Sequence, residues 1–398
     1  MKVVLFYHSL ISDWNHGNAH FLRGVASELV SRGHQVVVYE PRDAWSVQNL
    51  VHDHGETPLR EIKMVYPDLV NVRYDHATLD LDQALDGAEL VIVHEWNDHD
   101  LVQRIGRHHL HNRDYRLLFH DTHHRALSDS ANMAVYDLSA YDGVLAFGNV
   151  VRELYLQQGW AARAWTWHEA ADTRIFHPAR SRDKNPTEQL ADLVWVGNWG
   201  DDERTARLNE FLIEPVQQLE LRAHAYGVRY PADALARLTA AGIVYKGWLP
   251  NYRVPTVFHH HRVTVHIPRR PYVQALPGIP TIRVFEALAC GIPLICAPWE
   301  DCEKLFTPGQ DYLVAHSGEE MRAQLRLLLN DADVAAALAD HGRRTIEERH
   351  TCRHRVDELM NICCELGLNR QRTLAHDRPD TKASPVRTDQ YIRSRLIA

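Results

Sequence analysis

Apolar positions along the chain follow two alternating rhythms. Short, nearly continuous apolar runs recur through the first half at Val3–Tyr7, Gln35–Tyr39, Leu90–His94, Tyr115–Phe119, Gly143–Phe147 and Arg163–Trp167. Runs of that length, bounded by turn residues, read as strands buried on both faces. Between them, apolar residues fall three and four apart. Phe21, Leu22, Val25, Leu29 and Val30 mark a helix over His20–Arg32, ended by Gly33, and further helices are expected at Ser46–Asp53 and Val150–Gln158. Strand and helix alternate, which predicts a parallel sheet covered on both faces.

The pattern breaks at Ala179–Gln189, a polar stretch without periodicity, and then restarts. Strands are expected at Leu193–Val196, Leu221–Tyr226, Ile243–Lys246, Val263–Ile267 and Ile292–Ala297, with helices over Glu203–Leu219, Gly318–Leu329 and Asp331–Arg349. The fold class is therefore α/β, with two Rossmann-like, doubly wound domains facing a central cleft. The expected boundaries are residues 1–178, a linker over 179–190, a second domain over 191–360, and a polar, partly disordered tail over 361–398.

Composition agrees with this division. A chain of 398 residues exceeds one ordinary core. Its 45% hydrophobic and 24% charged content is that of a soluble globular protein. No run reaches the ~18 apolar residues of a membrane span, and MKVVLFYHSL reads as a first strand, not a signal peptide. A net charge of −8 argues against a protein that coats nucleic acid. Six cysteines without a CxxC pair fit a reduced, cytoplasmic compartment. Histidine is abundant at 27, yet the clusters His108-His109 and His259-His260-His261 lack metal-ligand spacing. No metal is expected.

In such folds ligands bind beyond the carboxyl ends of the strands, so the loops there are the candidate chemistry. Gly17, in the loop after the first strand, lets backbone amides approach a phosphate or sugar. His120, Asp121 and His123 lie in a titratable cluster, HDTHHR, expected in the loop after the Tyr115–Phe119 strand, with His94–Asp98 a second such cluster. Asn198 and Arg204 follow the first strand of the second half, and Arg204 can offset charge on a departing nucleotide. The richest stretch is Gly278–Gly291, GIPTIRVFEALACG. Pro280 and Thr281 lead into a short helix whose N-terminus suits a diphosphate, Arg283 lies in its first turn, and Glu286 can accept hydrogen bonds from ribose hydroxyls.

Taken together, Arg283–Gly291, Phe306, Gly309, Tyr312, the closing Gly342–Arg355 segment and Ala171–Pro178 resemble the GT-B glycosyltransferases. The nearest likeness is to the family-4-like group and its CgeB-like (spore maturation protein) branch. By position, the resemblance gives Glu286 the ribose, His120 a place beside the transferred sugar, and Arg204 the place of a phosphate-binding lysine. Two positions depart: Gly278 stands where the family has the first of two glutamates, and Asn198 where it has an arginine. Arg283 can replace that lost charge. The resemblance implies a retaining, metal-independent transferase with no cofactor. The second domain would bind a nucleoside diphosphate sugar. The first would take a small-molecule or glycan acceptor, a modified nucleobase not being excluded. His123 and Asp121 would assist His120. A nucleotide-sugar epimerase of the same fold and a degenerate, non-catalytic binding protein are the alternatives.

Overall fold

Two parallel sheets organise the chain, in a computed structural model that describes residues 1–179, 190–200 and 202–368. The first contains β1 (Lys2–Phe6), β2 (Gln35–Pro41), β3 (Val70–Tyr74), β4 (Leu90–His94), β5 (Arg116–Asp121), β6 (Gly143–Ala146) and β7 (Ala164–Thr166). The second contains β8 (Ala191–Val196), β9 (Ala223–Tyr226), β10 (Ile243–Tyr245), β11 (His261–His266), β12 (Leu294–Cys296) and β13 (Leu313–Val314). Their orders are β3-β2-β1-β4-β5-β6-β7 and β10-β9-β8-β11-β12-β13. Each order reverses direction once, between β1 and β4 and between β8 and β11. Such switch points open a crevice at the carboxyl ends of the strands.

The apolar runs are continuous because both sheet faces are covered. Val3 and Leu5 face a core shared with Phe21, Leu22, Val25 and Leu29 of the helix Ala19–Ser31. Val4 and Phe6 face the opposite core, with Leu101, Val102 and Ile105 of the helix His99–His111. Gly33 ends the first of these helices at φ +81°, a conformation that a Cβ disfavours.

The last helix, Cys352–Glu365, returns to the first sheet. Arg32 pairs with Asp357 at 2.6 Å, and the Trp167 indole donates to the Arg355 carbonyl at 2.8 Å. This corrects the expected boundary at 360: Ile362 and Cys363 are buried in the helix, so ordered structure continues past it. Residues 369–398 of the tail and 180–189 of the linker lie outside the described residues. No helix among the described residues is long and apolar enough to cross a membrane.

Candidate active site

The loop after β1 carries the first half of the chain to the second. A Cβ at Gly17 would lie 3.1 Å from Ile282 Cγ2, so glycine lets this loop approach the start of the helix Ile282–Cys290 closely. The Asn251 amide donates to Asp13 at 3.2 Å, and the Asn198 side chain donates to Asn15. Asn198 also accepts from the Val228 amide at 2.9 Å. Its polar atoms are thereby committed to fastening loops together. The loop is in turn held from below by Glu40 on β2, a fully buried carboxyl that accepts from the Leu10 and Ile11 amides and from Asn71.

Glu286 is the centre of this seam. It is 0% exposed, and one oxygen accepts from His20 Nδ1 at 2.8 Å and from the Asn251 side-chain amide at 2.6 Å. The other oxygen accepts from Arg283. Burial pushes its pKa up, but Arg283, His20 and Asn251 outweigh burial and leave it below the usual carboxylate value. His20 accepts from the Asp172 amide at 2.8 Å through Nε2, which leaves the Nδ1 proton for Glu286. A ring stack on Phe176, centroids 4.0 Å apart, fixes the imidazole.

Beside Glu286 lies a cationic corner. Thr281 occupies the N-cap of the helix, but its hydroxyl bonds His266 Nε2 at 3.0 Å instead of capping the helix. No acidic residue stands in the first turn, so the helix end presents its amides and positive dipole uncompensated. Pro280, buried, fixes the turn before it. Arg204 donates to the Ile267 carbonyl at 2.9 Å, at the end of β11. Burial, then the positive charges of Arg204 and Arg283, lower the His266 pKa to about 3. Both guanidiniums thus act on one imidazole and make this corner positive.

The first-sheet side differs from expectation. β5 runs through Asp121, so His120 and Asp121 are strand residues, not loop residues, and both are 0% exposed. His120 lies among Tyr7, Phe21, His94 and Trp167, and its Nδ1 bonds the Tyr7 hydroxyl at 2.5 Å. Burial lowers its pKa to about 3, so the ring is neutral at physiological pH. Asp121 accepts from Tyr155 at 2.9 Å and from the His123 amide at 3.0 Å. Its neighbour Glu95, also fully buried, accepts from Arg125 at 2.8 Å and 3.0 Å. Burial raises both carboxyls, repulsion by Asp121 raises Glu95 further, and Arg125 pulls both back down. His123 is half-buried against Trp96 and is held neutral by burial and by His124, Arg125 and Arg269.

Several buried polar atoms around the seam have no partner among the described residues: Nε2 of His8 and His120, Nδ1 of His94, His123 and His266, Oδ1 of Asn251 and Oε1 of Glu169. An orphaned buried polar atom costs about 1–3 kcal/mol. They gather at the carboxyl ends of β1, β4, β5 and β11 and in the chain that follows β7 and β10. Among the described residues no group of three His, Cys, Asp or Glu side chains is arranged to hold a metal ion.

Comparison with known proteins bears on the fold and the family. Residues 204–361 match a family described as glycosyl transferase-like. Over 92% of this chain, the structure is similar to sucrose-phosphate synthase from Thermosynechococcus elongatus, at 14% identity and a TM-score of 0.62, covering 99% of that chain. HepE (Alr3699) from Anabaena, in complex with UDP and glucose, is similar at 14% identity and a TM-score of 0.64, over 92% of this chain and 100% of that one. The fold is GT-B. A protein from Listeria monocytogenes put forward as a UDP-N-acetylglucosamine 2-epimerase shares it at 10% identity and a TM-score of 0.56, over 96% of this chain and 99% of that one. No curated protein matches the sequence.

In this GT-B cleft Gly17, Thr281, Arg283, Glu286, Arg204 and Asn198 lie along one seam, and His120, Asp121 and His123 lie at the end of β5. Three buried neighbours of these residues escaped the sequence reading: His20, Asn251 and Glu169. Glu95 belongs to the second titratable cluster already named, and His20 sits in the first helix's opening turn. Asn251 and Glu169 carried no local signal.

Proposed function

We propose that the chain is a glycosyltransferase that moves a sugar from a nucleoside diphosphate sugar to a hydroxyl-bearing acceptor. The observation that carries this reading is the seam itself. An uncapped helix N-terminus, two guanidiniums and a buried carboxylate stand within the region matched to the transferase-like family, opposite unsatisfied imidazoles. The UDP and glucose present in the HepE complex support a donor of this class.

The ribose displaces the Asn251 amide from Glu286 or takes the free lone pair beside Arg283. The diphosphate sits at the Ile282–Cys290 helix N-terminus, where Arg283 and Arg204 offset the charge that develops as the nucleotide leaves. The sugar then points toward His120. A ring with a pKa near 3 is a poor base, so His120 positions the sugar and does not carry its proton. The bond from the anomeric carbon to phosphate oxygen breaks, the bond to the acceptor oxygen forms, and the acceptor proton passes to the departing phosphate. This is the retaining route, with the acceptor against β1, β4 and β5. Placement in the family-4-like, CgeB-like branch rests on the motif resemblance. The alternative is a GT-B epimerase, and the fold shared with the Listeria protein keeps it in the test.

The test is release of nucleoside diphosphate from UDP-, GDP-, ADP- and dTDP-sugars, with and without panels of saccharide and small-molecule acceptors. The expected result is acceptor-dependent release with one donor, reduced about 10²-fold in kcat/KM by Glu286→Ala. Conversion of the donor sugar without an acceptor would favour the epimerase, and no turnover of any donor would contradict both.

A further inference from the structure

Glu169 has no part in the transfer described above, yet the chain around it is fastened to the cleft on both sides. Two residues before it, Trp167 lies 4.8 Å from the His120 ring. Three residues after it, the Asp172 amide donates to His20, the partner of Glu286. The backbone carbonyl of Glu169 accepts from Arg355 of the last helix at 3.4 Å. Its side chain is 5% exposed, and Oε1 has no hydrogen-bond partner among the described residues. The charged and titratable groups that face it are Glu286 and Arg283 from the Ile282–Cys290 helix and Tyr272 from the helix Arg270–Gln274. The adjacent His168 is engaged with Glu303 at 3.1 Å.

We propose that Glu169 is a further donor-binding residue: it stands as a neutral carboxylic acid and donates a hydrogen bond to an oxygen of the diphosphate held by Arg283. A carboxylate at this place would face both Glu286 and an incoming polyanion, with one arginine to offset them. The acid form adds no charge and supplies the donor that an anionic oxygen requires. Burial and then repulsion by Glu286 raise the pKa to about 8, against the pull of Arg283. The sign follows directly. Below that value the group keeps its proton and donates. Above it, the proton is lost and the charge repels the phosphate. The inference rests on the nucleotide-sugar reading of the cleft.

The experiment is calorimetric affinity of the full chain for UDP, GDP, ADP and dTDP and their glucose conjugates, from about pH 6.5 to about pH 9. Wild type, Glu169→Gln and Glu169→Ala are compared, with melting temperatures at each pH. Wild-type affinity for the best nucleotide should hold to about pH 8 and then weaken by up to about tenfold per pH unit. The amide of Glu169→Gln still donates, so it should recover most of the affinity lost in Glu169→Ala and flatten the alkaline fall. Glu169→Ala should weaken binding about tenfold or more at neutral pH. A purely structural role would lower the melting temperature and leave the alkaline midpoint in place. Wild-type affinity in Glu169→Ala, or equal loss in both variants, would overturn the inference while leaving the donor site standing. Absence of binding to every nucleotide by the wild type would overturn both.

Discussion

His120 occupies the penultimate position of β5, and its burial decides what it can do. Desolvation disfavours the imidazolium, so the ring stays neutral through the physiological range. Turnover should therefore show no inflection between about pH 6 and 7 that depends on His120. His120→Ala should lower kcat by about 10²-fold through misplacement of the sugar and leave nucleotide affinity within about twofold. A pH–rate profile and calorimetry check this, and unchanged kcat would remove His120 from the reaction. The sequence identified the residue type and its place near a strand end, because HDTHHR follows an apolar run. It could not reveal that the strand runs two residues further, which turns an apparent loop histidine into a buried one. Glu169 was equally hidden, since an isolated glutamate says nothing about burial until the packing around it is known.

At the scale of elements, the buried strands and the long helices were legible, because near-continuous Val, Ile, Leu and Phe runs and three-to-four spacing leave few alternatives. β3 was not. It is an edge strand whose Val70 and Val72 face outward, 53% and 38% exposed, while Asn71 turns in to reach Glu40. Its alternation is inverted relative to a half-buried strand, so the pattern concealed it. The final helix Cys352–Glu365 escaped for a different reason: its Arg-rich start resembled the close of the second domain, whereas it packs on the first. Gly24 records that packing. A Cβ there would run into Cys352 Sγ and lie 2.9 Å from Asp172 Cβ. Gly24→Ala should destabilise the protein by about 1–3 kcal/mol, read as a lower melting temperature. An unchanged melting temperature would contradict this contact between the first and last helices.

Across the whole molecule, one side chain joins the two sheets to the proposed chemistry. Glu286 comes from the second domain and is bonded by His20 of the first, so the proposed ribose site and the contact between domains share a carboxylate. The departures at Gly278 and Asn198 fit this arrangement. Gly278 adopts φ +86°, and a Cβ there would meet Glu303 Cγ at 2.6 Å, so Glu303 fills the space a side chain would need. Asn198 fastens the first loop to the second domain, while the positive charge of the corner comes from Arg204 and Arg283. The central claim is that this seam holds a nucleoside diphosphate. The most direct measurement is calorimetric titration of UDP, GDP, ADP and dTDP into the wild type and Glu286→Ala. The account predicts micromolar binding of one nucleotide, weakened about tenfold or more, ~1.4 kcal/mol, in the variant. No binding to any of the four, or binding indifferent to Glu286, would contradict it.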